Sequence, residues 1–189
     1  MSDLASARAH VVSVSNRAAA GIYEDTTGPR IVGALEQVGF GTVTSAVVPD
    51  GEPVAEALKA AVADGVAVVV TTGGTGLTPR DVTPQATTAV IDYQVPGLAE
   101  AMRAEGRRHT PMADLSRAVV GVCGRTLIVN LPGSPKGAIE SLDAIVAVLN
   151  HALETLAGPF DHGSAAPAAP DAASDLADPR VIAFPDEHE

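Results

Sequence analysis

The chain is poor in the residues that build disulfide-linked or aromatic-rich proteins. Its 189 residues include a single cysteine, Cys123, and the aromatic residues are three Phe and two Tyr, with no Trp. One cysteine excludes an internal disulfide framework. Because aromatic side chains are so few, the hydrophobic 46% of the chain must build its core mainly from Val, Leu, Ile and Ala.

Basic residues and long apolar runs are also scarce. Lys and Arg number 12 against 23 Asp and Glu, which gives a formal net charge of −11. Nonspecific nucleic-acid binding needs a basic face, so we expect no nucleic-acid partner. No apolar run has the length that crosses a bilayer, and the first residues do not resemble a signal peptide. We therefore expect a cytoplasmic protein with no membrane contact. The five His residues lack zinc-ligand spacing.

The acidic charge is concentrated near the C-terminal end. Residues 159–189 carry seven acidic residues and one Arg in a stretch rich in Ala and Pro. Such a composition cannot bury enough apolar surface to order a chain. We predict one domain over residues 1–158 and a poorly ordered tail over residues 159–189, with a short apolar patch at 181–184.

Short apolar segments alternate with segments of helical periodicity along the predicted domain. This alternation predicts an α/β fold with a largely parallel sheet and right-handed connections. We expect strands near residues 10–15, 42–48, 66–71, 116–123 and 126–130. We expect helices near residues 27–39, 54–64, 83–90 and 96–105, and a long one from 134 onward.

A glycine- and threonine-rich loop follows the third predicted strand. Residues 71–76 read Thr-Thr-Gly-Gly-Thr-Gly, and we call them the Gly/Thr loop. Glycines let backbone N–H groups approach an anion, and the threonines add hydroxyl donors. Arg80 and Asp81 follow between two prolines, and Asp50 ends the second predicted strand. Because parallel strands present ligands at their carboxyl ends, the two carboxylates are candidates to share a Mg²⁺ ion beside nucleotide phosphates.

Two further polar turns follow predicted strands. Residues 130–136 read Asn-Leu-Pro-Gly-Ser-Pro-Lys and lead into the last helix, and we call them the Pro/Gly turn. Its Gly133 and Ser134 are candidates for anion contacts at a helix N-terminus. The other turn follows the first strand and contains Ser13, Ser15 and Arg17. An ordinary capped loop is the competing interpretation for each turn taken alone.

Together these motifs resemble the MogA/MoaB family of molybdenum-cofactor biosynthesis. The resemblance rests on the Gly/Thr loop, Pro79–Pro84, Pro96-Gly97, Leu115–Arg117 and the Pro/Gly turn, and it covers roughly residues 9–158. The segment Ser15-Asn16-Arg17 departs from it, since Ser-Asp-Arg is frequent in the family.

The resemblance implies a three-layer α/β/α molybdopterin-binding fold, commonly a trimer. It implies adenylylation of molybdopterin with ATP and Mg²⁺, releasing pyrophosphate, and a possible contact with a downstream molybdenum-insertion protein. Asp50 and Asp81 correspond to the family's catalytic acidic pair and would hold Mg²⁺. The residues that would contact phosphates, nucleotide or pterin are Ser13, Ser15, Arg17, Thr72, Gly73, Gly74, Thr75, Gly76, Arg80, Ser116, Arg117, Asn130, Pro132, Gly133 and Ser134.

Three alternatives remain open from the sequence. The chain is also compatible with MoaB-type activity or with a non-catalytic molybdopterin-binding module. A general Mg²⁺-dependent nucleotide hydrolase would fit the Gly/Thr loop equally well, but not the Leu115–Arg117 and Pro/Gly motifs. Spacing does not decide which turn binds pterin and which binds nucleotide.

Overall fold

A computed structural model describes residues 4–158, which fold around one six-stranded sheet. The tail expected over residues 159–189 lies outside the described residues, so its boundary and order stay predictions. The strands are β1 (Arg8–Val14), β2 (Thr42–Val48), β3 (Val68–Thr72), β4 (Tyr93–Gln94), β5 (Val120–Cys123) and β6 (Thr126–Leu131). The helices are α1 (Asn16–Ala19), α2 (Gly28–Val38), α3 (Glu52–Ala63), α4 (Thr83–Thr88), α5 (Pro96–His109) and α6 (Pro135–Ala157). Two short 3₁₀ turns cover Leu4–Ser6 and Pro111–Leu115.

The sheet is mostly parallel, as the sequence predicts. Its strand order is β2-β1-β3-β6-β5-β4. β1 pairs in parallel with β2 and β3, and β3 pairs in parallel with β6. β5 runs antiparallel to β6, and β4 antiparallel to β5. The carboxyl ends of β1, β2, β3 and β6 and the amino end of β5 therefore meet at one edge of the sheet, which we call the carboxyl edge.

Apolar side chains alternate between the two faces of the sheet and bury two separate cores. In β3, Val68 and Val70 pack on the larger core while Val69 packs on the smaller one. Helices α2, α5 and α6 cover the larger core with buried residues that include Ile31, Leu35, Met102, Leu142, Ile145 and Leu149. Helix α3 covers the smaller one with Val54, Leu58 and Ala61. Each fully buried Leu or Ile contributes about 1.5–3 kcal/mol of transfer free energy, which stabilises both cores. Because helices cover both faces of the sheet, the fold has three layers, α/β/α.

The predicted elements are found with a few changes of extent. β2 has the predicted bounds, and α2 ends at Val38 with Gly39 as its C-cap, whose φ of 111° is in the left-handed region. β5 is shorter than predicted because the Arg117 N–H bonds to the Thr75 carbonyl and the Val119 N–H bonds to the Asn130 side chain. α5 continues to His109 rather than residue 105. α1 and β4 were not predicted, because elements of only four and two residues are too short to show a periodicity.

Gly73 is the tightest backbone junction at the carboxyl edge. It has a φ of 99°, and a Cβ there would lie 2.4 Å from the Val14 carbonyl oxygen. A Cβ on Gly133 would lie 3.3 Å from the Gly73 Cα atom. The ends of β1, β3 and β6 therefore approach one another through backbone atoms alone, and this contact fixes where the Gly/Thr loop begins.

Replacement of Gly73 by Ala is expected to destabilise the fold, because its Cβ meets backbone rather than a movable side chain. We expect the free energy of unfolding to fall by about 3 kcal/mol, from the clash and the left-handed φ together. Gly33 in the middle of α2 is the matched control, since a Cβ there meets nothing within 4 Å. Gly33→Ala is expected to raise stability by about 0.5–1 kcal/mol. Urea unfolding measures the free energy of unfolding of both variants. Equal free energies for the two variants would contradict the tight backbone contact at Gly73.

Candidate functional site

The carboxyl edge gathers the predicted site residues from five strand ends. The turn after β1 contains Ser15 and Arg17, and Asp50 follows β2. The Gly/Thr loop begins with the last two residues of β3, and the Pro/Gly turn begins with the last two residues of β6. Ser116 and Arg117 precede β5. Segments more than 100 residues apart in the chain touch here, as shown by the Thr27 hydroxyl, which donates to the Gly133 carbonyl at 3.2 Å.

Asp50 is half-buried and its carboxylate is held on one side. The Asn16 side-chain amide donates to Asp50 Oδ2 at 2.7 Å. The other oxygen faces the Gly/Thr loop, since a Cβ on Gly74 would lie 3.1 Å from Asp50 Oδ1. Burial raises the pKa of Asp50, and the charge on Asp81 raises it further, whereas backbone hydrogen bonds and the charge on Arg80 lower it. Asp50 and Asp81 therefore lie close enough to interact electrostatically.

Asp81 lies in the turn that follows the Gly/Thr loop. Its Oδ2 atom accepts a hydrogen bond from the Thr78 N–H at 2.8 Å, and a Cβ on Gly76 would lie 3.1 Å from that oxygen. The neighbouring Arg80 side chain is exposed. The sequence predicts Asp81 beside the Gly/Thr loop, and in the structure Asp81 lies against Gly76 while Asp50 lies against Gly74.

The Gly/Thr loop uses some of its donors within the protein and leaves others free. The Thr72 hydroxyl donates to the Pro132 carbonyl at 2.7 Å, and the Gly73 N–H donates to the Leu131 carbonyl at 3.2 Å. Among the described residues, the N–H groups of Gly74, Thr75 and Gly76 have no backbone or side-chain acceptor. Gly74 is in the left-handed region at φ 62°, and the three free N–H groups are candidates to bind an anion.

Arg117 holds the Gly/Thr loop in place by hydrogen bonds to its backbone carbonyls. Its Nε–H donates to the Gly76 carbonyl at 2.7 Å, and its guanidinium also donates to the Asp81 carbonyl. Its own N–H donates to the Thr75 carbonyl at 3.0 Å. These hydrogen bonds hold the loop and the Asp81 turn together. The contact of Arg117 with a ligand stays a prediction.

Asn130 is completely buried and joins three parts of the fold. Its amide donates to the Thr71 hydroxyl at 3.0 Å and to the Thr87 hydroxyl at 2.8 Å, and its Oδ1 atom accepts from the Val119 N–H. Both amide hydrogens are therefore used within the protein. Asn130 lies near the end of β6, and it also lines the cavity between the Gly/Thr loop and helices α5 and α6. These bonds fix its position beside the site, and its contact with a ligand stays a prediction.

A cavity of about 280 Å³ opens between the Gly/Thr loop and helices α5 and α6. Thr75 and Gly76 line one side, and Ser116, Pro132 and Ser134 line the region near the strand ends. Its remaining walls include the apolar residues Met102, Met112, Leu115 and Ala118. The Ser134 hydroxyl accepts from the Gly137 N–H at 3.3 Å and caps the N-terminus of α6. The combination of apolar walls and a few polar groups is typical of a small-molecule site.

A smaller and more polar cavity of about 160 Å³ lies on the other side of the Gly73–Gly133 contact. Its lining includes Ser13, Ser15, Asp25, Thr72 and Gly133. The Ser13 hydroxyl is buried and has no hydrogen-bond partner among residues 4–158. Asp25 Oδ1 accepts from the N–H groups of Thr27 and Gly28, each at 3.0 Å. An unpartnered buried hydroxyl is costly, so this cavity is suited to a polar ligand group.

Two contributors are not among the residues predicted from the sequence. The Thr83 hydroxyl, in the first residue of α4, is buried without a partner among the described residues, and a Cβ on Gly74 would meet it. Asp25 is the second, since it lines the smaller cavity. Arg17 lies 5.5 Å from the centre of the Tyr23 ring, and its contact with a ligand stays a prediction.

Within residues 4–158, no three His, Cys, Asp or Glu side chains cluster as a complete metal site. The Asp50–Asp81 pair, predicted from the sequence to bind Mg²⁺, offers two carboxylates that interact electrostatically. Mg²⁺ is commonly held in this way, by one or two carboxylates with phosphate oxygens and water completing its shell. The same range of residues contains no helix with the length and apolar character of a membrane span.

Comparisons with known proteins agree with this architecture. The family model described as "Probable molybdopterin binding domain" matches residues 10–151. The chain is 43% identical over 139 residues to the molybdopterin adenylyltransferase of Haemophilus influenzae, a match that covers 71% of each chain.

Two solved structures have the same fold. The molybdopterin biosynthesis Mog protein from Mycobacterium ulcerans has a TM-score of 0.77 at 49% identity, covering 80% of this chain and 99% of its own. The molybdopterin biosynthesis enzyme MoaB from Thermus thermophilus has a TM-score of 0.69 at 46% identity, covering 79% of this chain and 95% of its own. From its motifs, its fold and these matches, the chain belongs to the MogA/MoaB family of molybdopterin-binding proteins.

Proposed function

We propose that this protein adenylylates molybdopterin, using ATP and Mg²⁺ to give adenylyl-molybdopterin and pyrophosphate. The observation that carries the proposal is the acidic pair, Asp50 and Asp81, beside three unpartnered N–H groups of the Gly/Thr loop. This combination suits phosphoryl chemistry in a chain that is 43% identical to a molybdopterin adenylyltransferase.

The residues at the acidic pair fit a Mg²⁺ ion. Asp50 Oδ1 is not used by Asn16, and the mutual repulsion of the two carboxylates would be relieved by a cation between them. When bound, Mg²⁺ neutralises phosphate charge and so makes the α-phosphorus easier to attack. Asp50 and Asp81 would hold it, and the exposed Arg80 provides a further positive charge nearby.

The protein's own groups would bind and orient the two substrates. The N–H groups of Gly74, Thr75 and Gly76 would donate to phosphate oxygens without any change of loop shape, because Arg117 already holds the loop. The two cavities on either side of the Gly73–Gly133 contact would each take one substrate. Catalysis of this kind depends on positioning and on charge stabilisation more than on covalent participation of the protein.

We also propose that the protein works in the cytoplasm as a homotrimer and contacts a downstream molybdenum-insertion protein, as its resemblance to the family implies. The relative from Haemophilus influenzae favours the MogA-type reaction over the MoaB-type. A non-catalytic pterin-binding module is the second candidate, because the cavities and the Gly/Thr loop would bind ligands even without turnover.

Incubation with molybdopterin, ATP and Mg²⁺ separates these functions. Adenylyl-pterin and pyrophosphate formed in equal amounts are the result expected of an adenylyltransferase. Tight pterin binding without formation of adenylyl-pterin would identify a non-catalytic pterin-binding module. ATP hydrolysis that does not depend on pterin would instead identify a nucleotide hydrolase.

Asp81→Asn is expected to lower the turnover rate by about 100-fold or more, because it removes a charge that contacts the metal. The fold and the pterin affinity should be retained, since the Asn side-chain oxygen can still accept the Thr78 N–H. Asp50→Asn should lower turnover in the same way.

Asp92→Asn is the matched control, because Asp92 also accepts one backbone N–H, that of Gly124 at 2.7 Å, in a turn between other strands. It should leave turnover unchanged. A large loss of thermal stability in Asp81→Asn, with turnover lost only in proportion to unfolded protein, would show that Asp81 is merely a turn residue.

The titration of Asp50 provides a second prediction. Burial is the largest cause of the raised pKa of Asp50, and the charge on Asp81 is the second. Metal binding should therefore weaken as the pH falls through this pKa, which lies above the pKa of an exposed Asp. Asp81→Asn should lower the pKa of Asp50 without restoring it fully, because burial is the larger cause. Arg80→Ala should raise it. Carboxyl NMR titration measures these pKa changes. If the pKa of Asp50 is the same in wild type and in Asp81→Asn, the electrostatic interaction between Asp50 and Asp81 is contradicted.

A further inference from the structure

Asn16 makes a two-point contact with Asp50. Its Nδ2 group donates to Asp50 Oδ2 at 2.7 Å, and its Oδ1 atom accepts from the Asp50 backbone N–H at 3.2 Å. One amide therefore binds both the carboxylate and the main chain of the same residue. Such a pair of bonds restricts rotation of the Asp50 side chain as well as movement of the turn that bears it.

The contact leaves one oxygen of Asp50 available in a defined direction. Oδ2 is occupied by Asn16, whereas Oδ1 faces the Cα atom of Gly74, where the buried Thr83 hydroxyl also lies. If Asp50 rotated freely, either oxygen would face the Gly/Thr loop and neither would be fixed. The Asn16 amide removes this freedom before any ligand binds.

Asn16 is itself held firmly although its side chain is exposed. It is the first residue of α1, and the preceding Ser15 caps this helix by accepting the Ala18 N–H at 3.2 Å. The Ser15 N–H donates to the Val48 carbonyl at 2.9 Å, which ties the start of α1 to the end of β2. Asn16 and Asp50 are therefore positioned by the same strand end.

The neutral amide suits this place electrostatically. The negative charges of Asp50 and Asp81 repel each other. The uncharged Asn16 amide stabilises the Asp50 carboxylate by a hydrogen bond without adding a third negative charge.

We propose that Asn16 is a positioning residue for Asp50, which fixes Oδ2 so that Oδ1 is presented to the divalent cation. The proposal rests on the proposed function only in that Asp50 is taken to bind the cation. Partners that orient a metal ligand commonly change metal affinity by about 10–100-fold when they are removed.

The test is Mn²⁺ binding to the full-length protein, measured by EPR without substrates, in wild type, Asn16→Ala and Asp50→Asn. Asn16→Ala should raise the Mn²⁺ dissociation constant by about 10-fold, in the same direction as Asp50→Asn. Asn16→Gln keeps an amide, and its dissociation constant should lie between those of wild type and Asn16→Ala. In the turnover assay, Asn16→Ala should raise the Mg²⁺ concentration for half-maximal rate more than it lowers kcat at saturating Mg²⁺.

Asn150→Ala is the matched control, because Asn150 also donates from its amide to a carboxylate, that of Glu154 at 3.4 Å, on the exposed surface of α6. It should leave Mn²⁺ binding unchanged. A dissociation constant for Asn16→Ala within about twofold of wild type would overturn the proposal, whatever the change in melting temperature. Wild-type protein that binds Mn²⁺ with this dependence on Asn16 but makes no adenylyl-pterin would overturn the proposed function alone.

Discussion

At Gly73 the ends of three strands approach through backbone atoms, and the arrangement of the site depends on this junction. A side chain there would meet the Val14 carbonyl, and Gly133 lies directly against it. The junction determines where the Gly/Thr loop leaves the sheet, and it separates the two cavities. The Thr72 hydroxyl and the Gly73 N–H strengthen it by bonding to the end of β6 and the turn that follows.

Electrostatics then sets what this geometry is able to bind. Two carboxylates that follow different strands interact electrostatically beside a loop with free N–H groups. The carboxylates repel each other and the N–H groups lack acceptors, so each is incompletely satisfied in the protein alone. A cation together with a phosphate would satisfy both at once. Arg117 and Asn16 maintain the arrangement with hydrogen bonds to the loop and to Asp50.

Much of the fold was predictable because its signals are local. Helical periodicity and the run of valines in β3 indicated the layers, and the parallel order then implied that Asp50 and Asp81 lie near the same edge. What could not be predicted depends on tertiary contacts. The hydrogen bonds of Asn130 and Arg117 join parts of the fold that lie far apart along the chain, and no local pattern predicts such partners. The same holds for Asn16, whose contact with Asp50 spans 34 residues.

The most direct test of the acidic pair is a crystal structure of the protein with ATP and Mn²⁺, in which anomalous scattering locates the cation. We expect one ion bound by Asp50 Oδ1 and by Asp81, with triphosphate oxygens on the N–H groups of Gly74, Thr75 and Gly76. A fully occupied nucleotide whose cation lies away from both carboxylates would contradict the central role of this pair.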